Sequence, residues 1–371
     1  MSLGDGHALP DFPWDRLTPY ADAARAHPDG LVDLSIGTPV DPTPAVVTAA
    51  LSAAADAPGY PAAAGTPAVR EAASAWLSRR LGVACPPDQV VPTIGSKELV
   101  ALLPFLLGAK GSVLFPALAY PTYDVGARLA GCRPVAVPMS DGLVDVAALD
   151  GVAHDTSLLW INYPANPHGR VAPAAHVAEV VAWGRARGVL IVSDECYAEL
   201  AWDAPFTSAL VDGTDGVLAV HSLSKRSNAA GLRAGFVAGD RDVVARLLAV
   251  RRQAGFLVPA PVQAAMVAAL GDDAHVEEQR ARYAARREVL RAAADKAGLV
   301  VEYSEGGLYL WATHPSYDGC WPLVDALARR GILVAPGEFY GDAGARHVRI
   351  ALTATDERVA AAARRLEEDQ L

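Results

Sequence analysis

From Val90 onward the chain alternates short apolar runs with longer segments of helical character. Seven runs carry the alternation: Val90–Ile94, Ser112–Phe115, Pro134–Val137, Leu158–Ile161, Val189–Val192, Val217–Val220 and Gly235–Ala238. They are apolar at nearly every position, not at every second one. A strand that is apolar on both sides has no face left for water. The runs therefore predict an α/β fold: a large domain with a mostly parallel seven-stranded sheet covered by helices. After Leu299 a second alternation begins, with Val300–Tyr303, Leu308–Trp311, Ile332–Val334 and Val348–Leu352 and a helix near Trp321–Arg330. It predicts a smaller α+β domain.

Helices are also expected over Thr18–His27, Pro44–Ala55 and Pro67–Leu81. The last has the clearest start, because Thr66 is a good cap and Pro67 suits the first helical position. From Asp240 to Gly298 the chain reads as helix, broken at Leu257–Pro261. These signals divide the chain into an N-terminal arm over 1–35 that joins the small domain, a large domain over 36–260 and a small C-terminal domain over 261–371. The arm's Leu9–Trp14 segment is aromatic and broken by prolines, which suits packing across a neighbouring domain or subunit.

Composition narrows the function. The 371 residues are 52% hydrophobic, enough for a large core. A net charge of −10 argues against a nucleic-acid or anionic-membrane surface. The four cysteines are scattered with no CxxC pair, so no metal site is expected and a reducing, cytoplasmic setting fits. Met1–Pro10 lacks the basic and apolar pattern of a secretory signal, and the longest apolar run, Leu99–Leu107, is too short to span a bilayer.

In open α/β sheets, ligands bind beyond the carboxyl ends of the strands. The residues just after each run are chemically suggestive here. Ile94 leads into Gly95-Ser-Lys-Glu98, a glycine turn that serves either as an ordinary helix cap or as a phosphate nest. Tyr120 stands where it either packs or stacks on a planar ring. Asn166-Pro-His-Gly169 is a turn that also presents an amide. Asp194 ends a fully apolar strand and needs a partner, which a helix cap or a protonated ring nitrogen would supply; Tyr197 lies three residues on. Ser222-Leu-Ser-Lys225 comes after the sixth run, with Arg233 beyond a glycine turn. The chain has only four lysines, and Lys225 is the best placed to act as an imine-forming amine. Phosphate donors, ring stacker, amide, carboxylate and lysine at successive strand ends are together the set that a pyridoxal phosphate site requires.

With these motifs the chain resembles the fold-type I, pyridoxal-phosphate-dependent aminotransferases of class I/II, from Ile36-Gly-Thr-Pro39 to Arg346-His-Val-Arg-Ile-Ala-Leu352. The resemblance implies an aspartate-aminotransferase-like fold and pyridoxal 5′-phosphate as cofactor. It implies Lys225 as the residue that holds the cofactor, Asp194 as partner of the ring nitrogen, and Asn166 and Tyr197 as ligands of the ring hydroxyl. Tyr120 would stack on the ring, and Ser96, Lys97, Ser222 and Arg233 would cup the phosphate. Tyr60, in a Tyr…Gly65…Arg70-Glu-Ala motif, resembles a tyrosine that reaches the neighbouring subunit's phosphate, which implies a homodimer with shared sites. Arg349, beside the backbone of Gly37, resembles the arginine that grips the substrate α-carboxylate, with Asn166 nearby. His168 stands where threonine is common in the family's turn.

Further stretches, among them His27–Pro42, Pro58-Gly-Tyr-Pro61 and His221–Asn228, resemble the actinobacterial succinyldiaminopimelate aminotransferases. They imply amino transfer from glutamate to N-succinyl-2-amino-6-oxopimelate, giving N-succinyl-LL-2,6-diaminopimelate and 2-oxoglutarate in lysine and cell-wall biosynthesis. The alternatives are an aminotransferase for aromatic or aliphatic amino acids and a C–S β-lyase on the same fold. A fold-retaining regulator would be expected to add a DNA-binding helix-turn-helix with a basic segment, and a dead-site protein would have lost Lys225 or Asp194, both of which are present.

Overall fold

The computed structural model of the chain describes residues 9–368 and 371. Of the arm, residues 1–8 lie outside the described residues, and so does most of the Met1–Pro10 segment read above. The large sheet has seven strands in the order Val90–Ile94, Ala234–Gly239, Val217–Ser222, Leu190–Asp194, Thr156–Asn162, Ser112–Pro116 and Arg133–Val137. Ala234–Gly239 runs antiparallel to both its neighbours, and the other adjacent pairs are parallel. All seven expected runs are strands, each ending within two residues of its expected limits.

The burial of both faces follows from side-chain alternation along a strand. Leu158 and Trp160 join one apolar cluster with the Gly95–Leu106 and Thr122–Leu129 helices, while Leu159 and Ile161 join a second on the opposite face. Every helix expected before Val90 is present. Pro67–Leu81 matches its expected limits: the Thr66 hydroxyl accepts the Val69 N–H, and Gly82 closes the helix at φ +68°. Among the described residues no helix is long and apolar enough to cross a membrane.

The second sheet has five strands in the order Val32–Leu34, Ile332–Pro336, Val348–Ala351, Tyr309–Thr313 and Val300–Tyr303. Val32–Leu34 comes from the arm and pairs parallel with Ile332–Pro336. Three residues are too few to show a periodic pattern, so this strand was not expected. The Ala260–Gly271 helix packs on the Ala45–Ala53 and Pro67–Leu81 helices, and Val262, Met266 and Leu270 belong to a core of the large domain. We therefore propose the domain boundary after Gly271 instead of at 260, with the small domain beginning at the Ala274–Lys296 helix.

One ion pair ties that helix back to the large domain. Arg286 donates from both Nη atoms to the Asp41 carboxylate, at 2.7 and 2.7 Å, and both side chains are nearly inaccessible. Asp41 follows the Ile36–Pro39 loop, so the pair also fixes that loop. Without Arg286, Asp41 keeps only Gln279 at 2.8 Å and the more exposed Arg282 at 3.4 Å, so the loss falls at the lower end of the roughly 3–5 kcal/mol seen for broken buried pairs. Arg286→Ala should lower the unfolding free energy by about 3 kcal/mol in urea titration, and a loss indistinguishable from zero would show that the pair does not hold the domains.

Candidate active site

The carboxyl ends of the central strands open into a cavity of ≈ 1140 Å³. Strand register explains why the polar groups collect there. Asn162 pairs with Asp194, and Asp194 with Val220, so neighbouring strands end at one level. Gly37, Ser96, Lys97, Tyr120, Asn166, Asp194, Tyr197, Ser222, Lys225, Arg233 and Arg349 all line the cavity. Tyr60 does not; it is fully exposed on the surface of its own chain.

Lys225 sits on the short Leu223–Arg226 helix that begins where the central strand ends. Its Nζ donates to the Gly37 carbonyl. Burial pulls its ammonium down to about 8, and Arg349 and Arg233 push in the same direction. Asp194 is buried, with Oδ2 accepting the Tyr123 hydroxyl at 3.0 Å and Oδ1 accepting the Cys196 N–H at 3.2 Å. Burial raises its carboxyl above the ordinary value. Among the described residues no cation pairs with it.

Arg349 is buried, 3% exposed. Nη1 donates to Asn166 Oδ1 at 2.9 Å and Nη2 to the Ser35 carbonyl at 2.6 Å. Its guanidinium lies 4.1 Å from the Tyr309 ring centre and 4.9 Å from that of Tyr340. Nε has no partner among the described residues. Tyr309 also exchanges a hydrogen bond with the Tyr197 hydroxyl at 2.8 Å. A Cβ on Gly37 would come within 2.3 Å of the Tyr309 hydroxyl, so that close approach requires glycine.

The Gly95 turn is similarly constrained. Gly95 has φ +70°, and a Cβ there would meet the Arg233 guanidinium at 2.4 Å. Arg233 is thus pressed against the start of the Gly95–Leu106 helix, whose free N–H groups favour an anion. The Asn166 turn holds as expected despite His168: the Gly169 N–H donates to the Ala165 carbonyl at 2.8 Å. His168 is buried and neutral, its value lowered to about 3 by burial.

Four contributors were not singled out from the sequence: Tyr123, Asn162, Tyr309 and Tyr340. Asn162 accepts the Asn166 N–H at 2.8 Å and donates to the Asp194 carbonyl at 2.8 Å, joining two strand ends. It ends an apolar run, and that position was the available signal. Tyr309 lies within an expected strand of the other domain, where nothing local marks it.

The residues present fit pyridoxal phosphate. An anion cradle, a desolvated carboxylate lacking a cation, a desolvated amine and an aromatic ring at Tyr120 share one cavity. Comparison with known proteins gives the same result. Residues 29–366 match the family model described as aminotransferase class I and II.

The chain belongs to that family. Its members use pyridoxal 5′-phosphate and act on amino and keto acids. This member is 58% identical over 367 residues to the 4-dedimethylamino-4-oxo-anhydrotetracycline transaminase of Streptomyces rimosus, covering 96% of this chain and 99% of the relative. It is 56% identical to a probable aminotransferase of Mycobacterium tuberculosis, covering 98% of this chain and 86% of the relative. Among solved structures, the probable N-succinyldiaminopimelate aminotransferase of Thermus thermophilus superposes with a TM-score of 0.89 at 32% identity, over 96% of this chain and 100% of that one.

A lysine amine reacts with an aldehyde only when unprotonated. Because burial lowers the Lys225 ammonium to about 8, covalent uptake of pyridoxal phosphate by the apo-protein, trapped with borohydride, should rise with pH and level off well below the range of an exposed lysine. Lys225→Ala should show no trapped cofactor at any pH.

Proposed function

We propose that the protein transfers the amino group of glutamate to N-succinyl-2-amino-6-oxopimelate. The observation that carries this reading is the pairing of two anion sites in one cavity. Arg349 keeps a free Nε for an α-carboxylate, and Lys97 is a second cation on the cavity wall. Lys97 Nζ lies 5.9 Å from the Tyr120 ring centre and has no carboxylate partner among the described residues. The other basic groups considered are committed elsewhere. Arg226 is paired with Glu199, and Arg16 of the arm is paired with Glu338 at 2.9 Å. Typical ligand pockets hold about 300–1,000 Å³, so ≈ 1140 Å³ leaves room for a cofactor and an extended tricarboxylate together. The solved T. thermophilus structure bears the corresponding name.

In this reading the residues divide the work. Arg233, Ser96, Ser222 and the Lys97 backbone would hold the phosphate. Asp194 would keep the ring nitrogen protonated, and Asn166 and Tyr197 would hold the ring hydroxyl. Pyridoxal phosphate, when bound, supplies the electron sink for the carbanion at the substrate Cα. Arg349 grips the α-carboxylate and orients the Cα–H bond. Lys225 Nζ, buried and easily deprotonated, is the base that removes and returns that proton. Tyr60, exposed on its own chain, would complete the phosphate site of a second copy in a homodimer.

A second reading comes from the S. rimosus relative, whose name gives a 4-oxo-anhydrotetracycline as substrate. The arm's Phe12 and Trp14, together with Phe339, wall the outer cavity and would suit a larger ring system. The test is a panel of glutamate with the succinylated oxo-acid, small aromatic and aliphatic keto acids, and a polycyclic ketone. The succinylated acid should lead in kcat/KM by about 10²-fold or more; a polycyclic ketone in first place would establish the second reading, and no amino transfer from glutamate together with release of thiol, ammonia and pyruvate from an added cysteine conjugate would point to a lyase. Lys97→Ala should raise KM about tenfold for the succinylated acceptor, the scale of one lost ion contact, and leave the KM for a short monocarboxylic keto acid unchanged. Arg349→Lys should raise KM for every α-carboxylate, because bidentate pairing is lost.

A further inference from the structure

A second, far smaller cavity, of about 10 Å³, lies behind the active site. That is close to the room one water molecule needs, about 10–15 Å³. Its wall includes Trp76, Glu195, His221 and Arg226. Each presents polar atoms that lack a hydrogen-bond partner among the described residues: Trp76 Nε1, Glu195 Oε2, both ring nitrogens of His221, and Arg226 Nη2. The three ionisable side chains are 1%, 3% and 5% exposed. His221 Nε2 stands 3.5 Å from Glu195 Oε2, beyond ordinary hydrogen-bond length.

The remaining polar atoms of these groups are fully engaged. Glu195 Oε1 accepts the Ser208 hydroxyl at 3.0 Å and the Ala209 N–H at 2.8 Å. Arg226 Nη1 donates to the Ala269 carbonyl at 2.9 Å, and its Nε pairs with Glu199. The Trp76 and Phe236 rings flank His221 at 5.1 and 4.9 Å. Buried polar groups in folded proteins are nearly always partnered, by protein or by ordered water. Several residues with unpartnered polar atoms around one water-sized space point to a water site.

The sequence positions add a second observation. Glu195 follows Asp194, His221 precedes Ser222, and Arg226 follows Lys225. Each cluster member is the chain neighbour of a residue that lines the active cavity. Successive side chains at a strand end face opposite sides, which sets Glu195 and His221 behind Asp194 and Ser222, and Arg226 on the short helix reaches the same pocket.

We propose that this pocket binds one buried water held by Glu195, His221 and Arg226, and that the resulting cluster positions Asp194, Ser222 and Lys225 without touching the cofactor. The proposal rests on the pyridoxal phosphate site and is independent of which acceptor the enzyme uses. A high-resolution crystal structure of the holoenzyme should show one water within hydrogen-bond distance of Glu195 and His221. His221→Phe keeps a ring between Trp76 and Phe236 but removes both nitrogens. It should weaken the apo-protein's affinity for pyridoxal phosphate by about tenfold or more, the scale at which supporting residues usually act. It should also lower kcat with little change in the KM for glutamate, because Arg349 is untouched. Glu195→Gln keeps shape and hydrogen-bonding capacity and should stay within about twofold of wild type in affinity. Wild-type cofactor affinity and kcat in His221→Phe, with only a lowered Tm, would overturn the positioning role, and a dry pocket would overturn the water site. Failure of the wild-type chain to bind pyridoxal phosphate would instead count against the active-site reading itself.

Discussion

The site is organised by three charges held out of water without an opposite charge from the protein. Lys225 donates to a carbonyl, Asp194 accepts from a phenol and a backbone N–H, and Arg349 rests on an amide oxygen, a carbonyl and two aromatic rings. Each interaction orients the group, and none neutralises it. Desolvated charges in this state are costly, so a protein normally pairs them or lets them discharge. Here the natural partners are ligands. A protonated ring nitrogen would complete Asp194, a carboxylate would complete Arg349, and covalent attachment would remove the charge of Lys225. A buried internal partner for any of the three would relieve the cost and block the ligand.

The surrounding fold carries that cost by rigidity. Strand ends held in register place Asn162, Asp194 and Ser222 on adjacent strands of one sheet. Asn162 then locks the Asn166 turn to the end of the Asp194 strand, so the amide that meets Arg349 is fixed from behind. The loop bearing Gly37 is pinned twice, by Tyr309 against its missing side chain and by Asp41 against Arg286. Both pins come from the small domain. The Arg349 side of the cavity therefore depends on how the two domains meet, while Asp194 and Ser222 are placed by the large sheet, and Asn166, Tyr197 and Lys225 are held from both sides.

This division explains what could be read from the sequence. The large-sheet strands were legible because burial on both faces leaves a continuous apolar run, and the residues just after each run were legible because parallel strands deliver their ends to one place. Lys225 stood out because lysine is scarce in this chain and rarely placed at the mouth of a buried sheet. Tyr123 and Tyr309 were not legible: their partners Asp194 and Tyr197 lie 71 and 112 residues away in sequence, and no local pattern encodes such contacts. Val32–Leu34 was missed because a three-residue strand borrows its stability from Ile332–Pro336. The boundary near the Ala260–Gly271 helix was hard to read because a helix preceded by prolines carries no mark of which core it joins. Tyr60 reads as functional only if a second chain is present, which no intrachain contact can express.

Cofactor and acceptor are consequently specified by different kinds of structure. The cofactor groups sit on strand ends and on the first turns of helices, where backbone geometry leaves little choice of residue. The outer wall is built from the arm's Leu9–Trp14 and the segment around Glu338–Ala343, joined by Trp14 packing on Phe339 at 5.3 Å between ring centres. Those segments are irregular backbone and short 3₁₀ turns outside both sheets, although Phe339 and Tyr340 also belong to the small-domain core. A chain can therefore keep every residue of the cofactor site while its acceptor changes from an open-chain oxo-acid to a ring ketone. Relatives at 58% and 32% identity share the fold and the family and carry different substrate names, as expected where one scaffold hosts several activities.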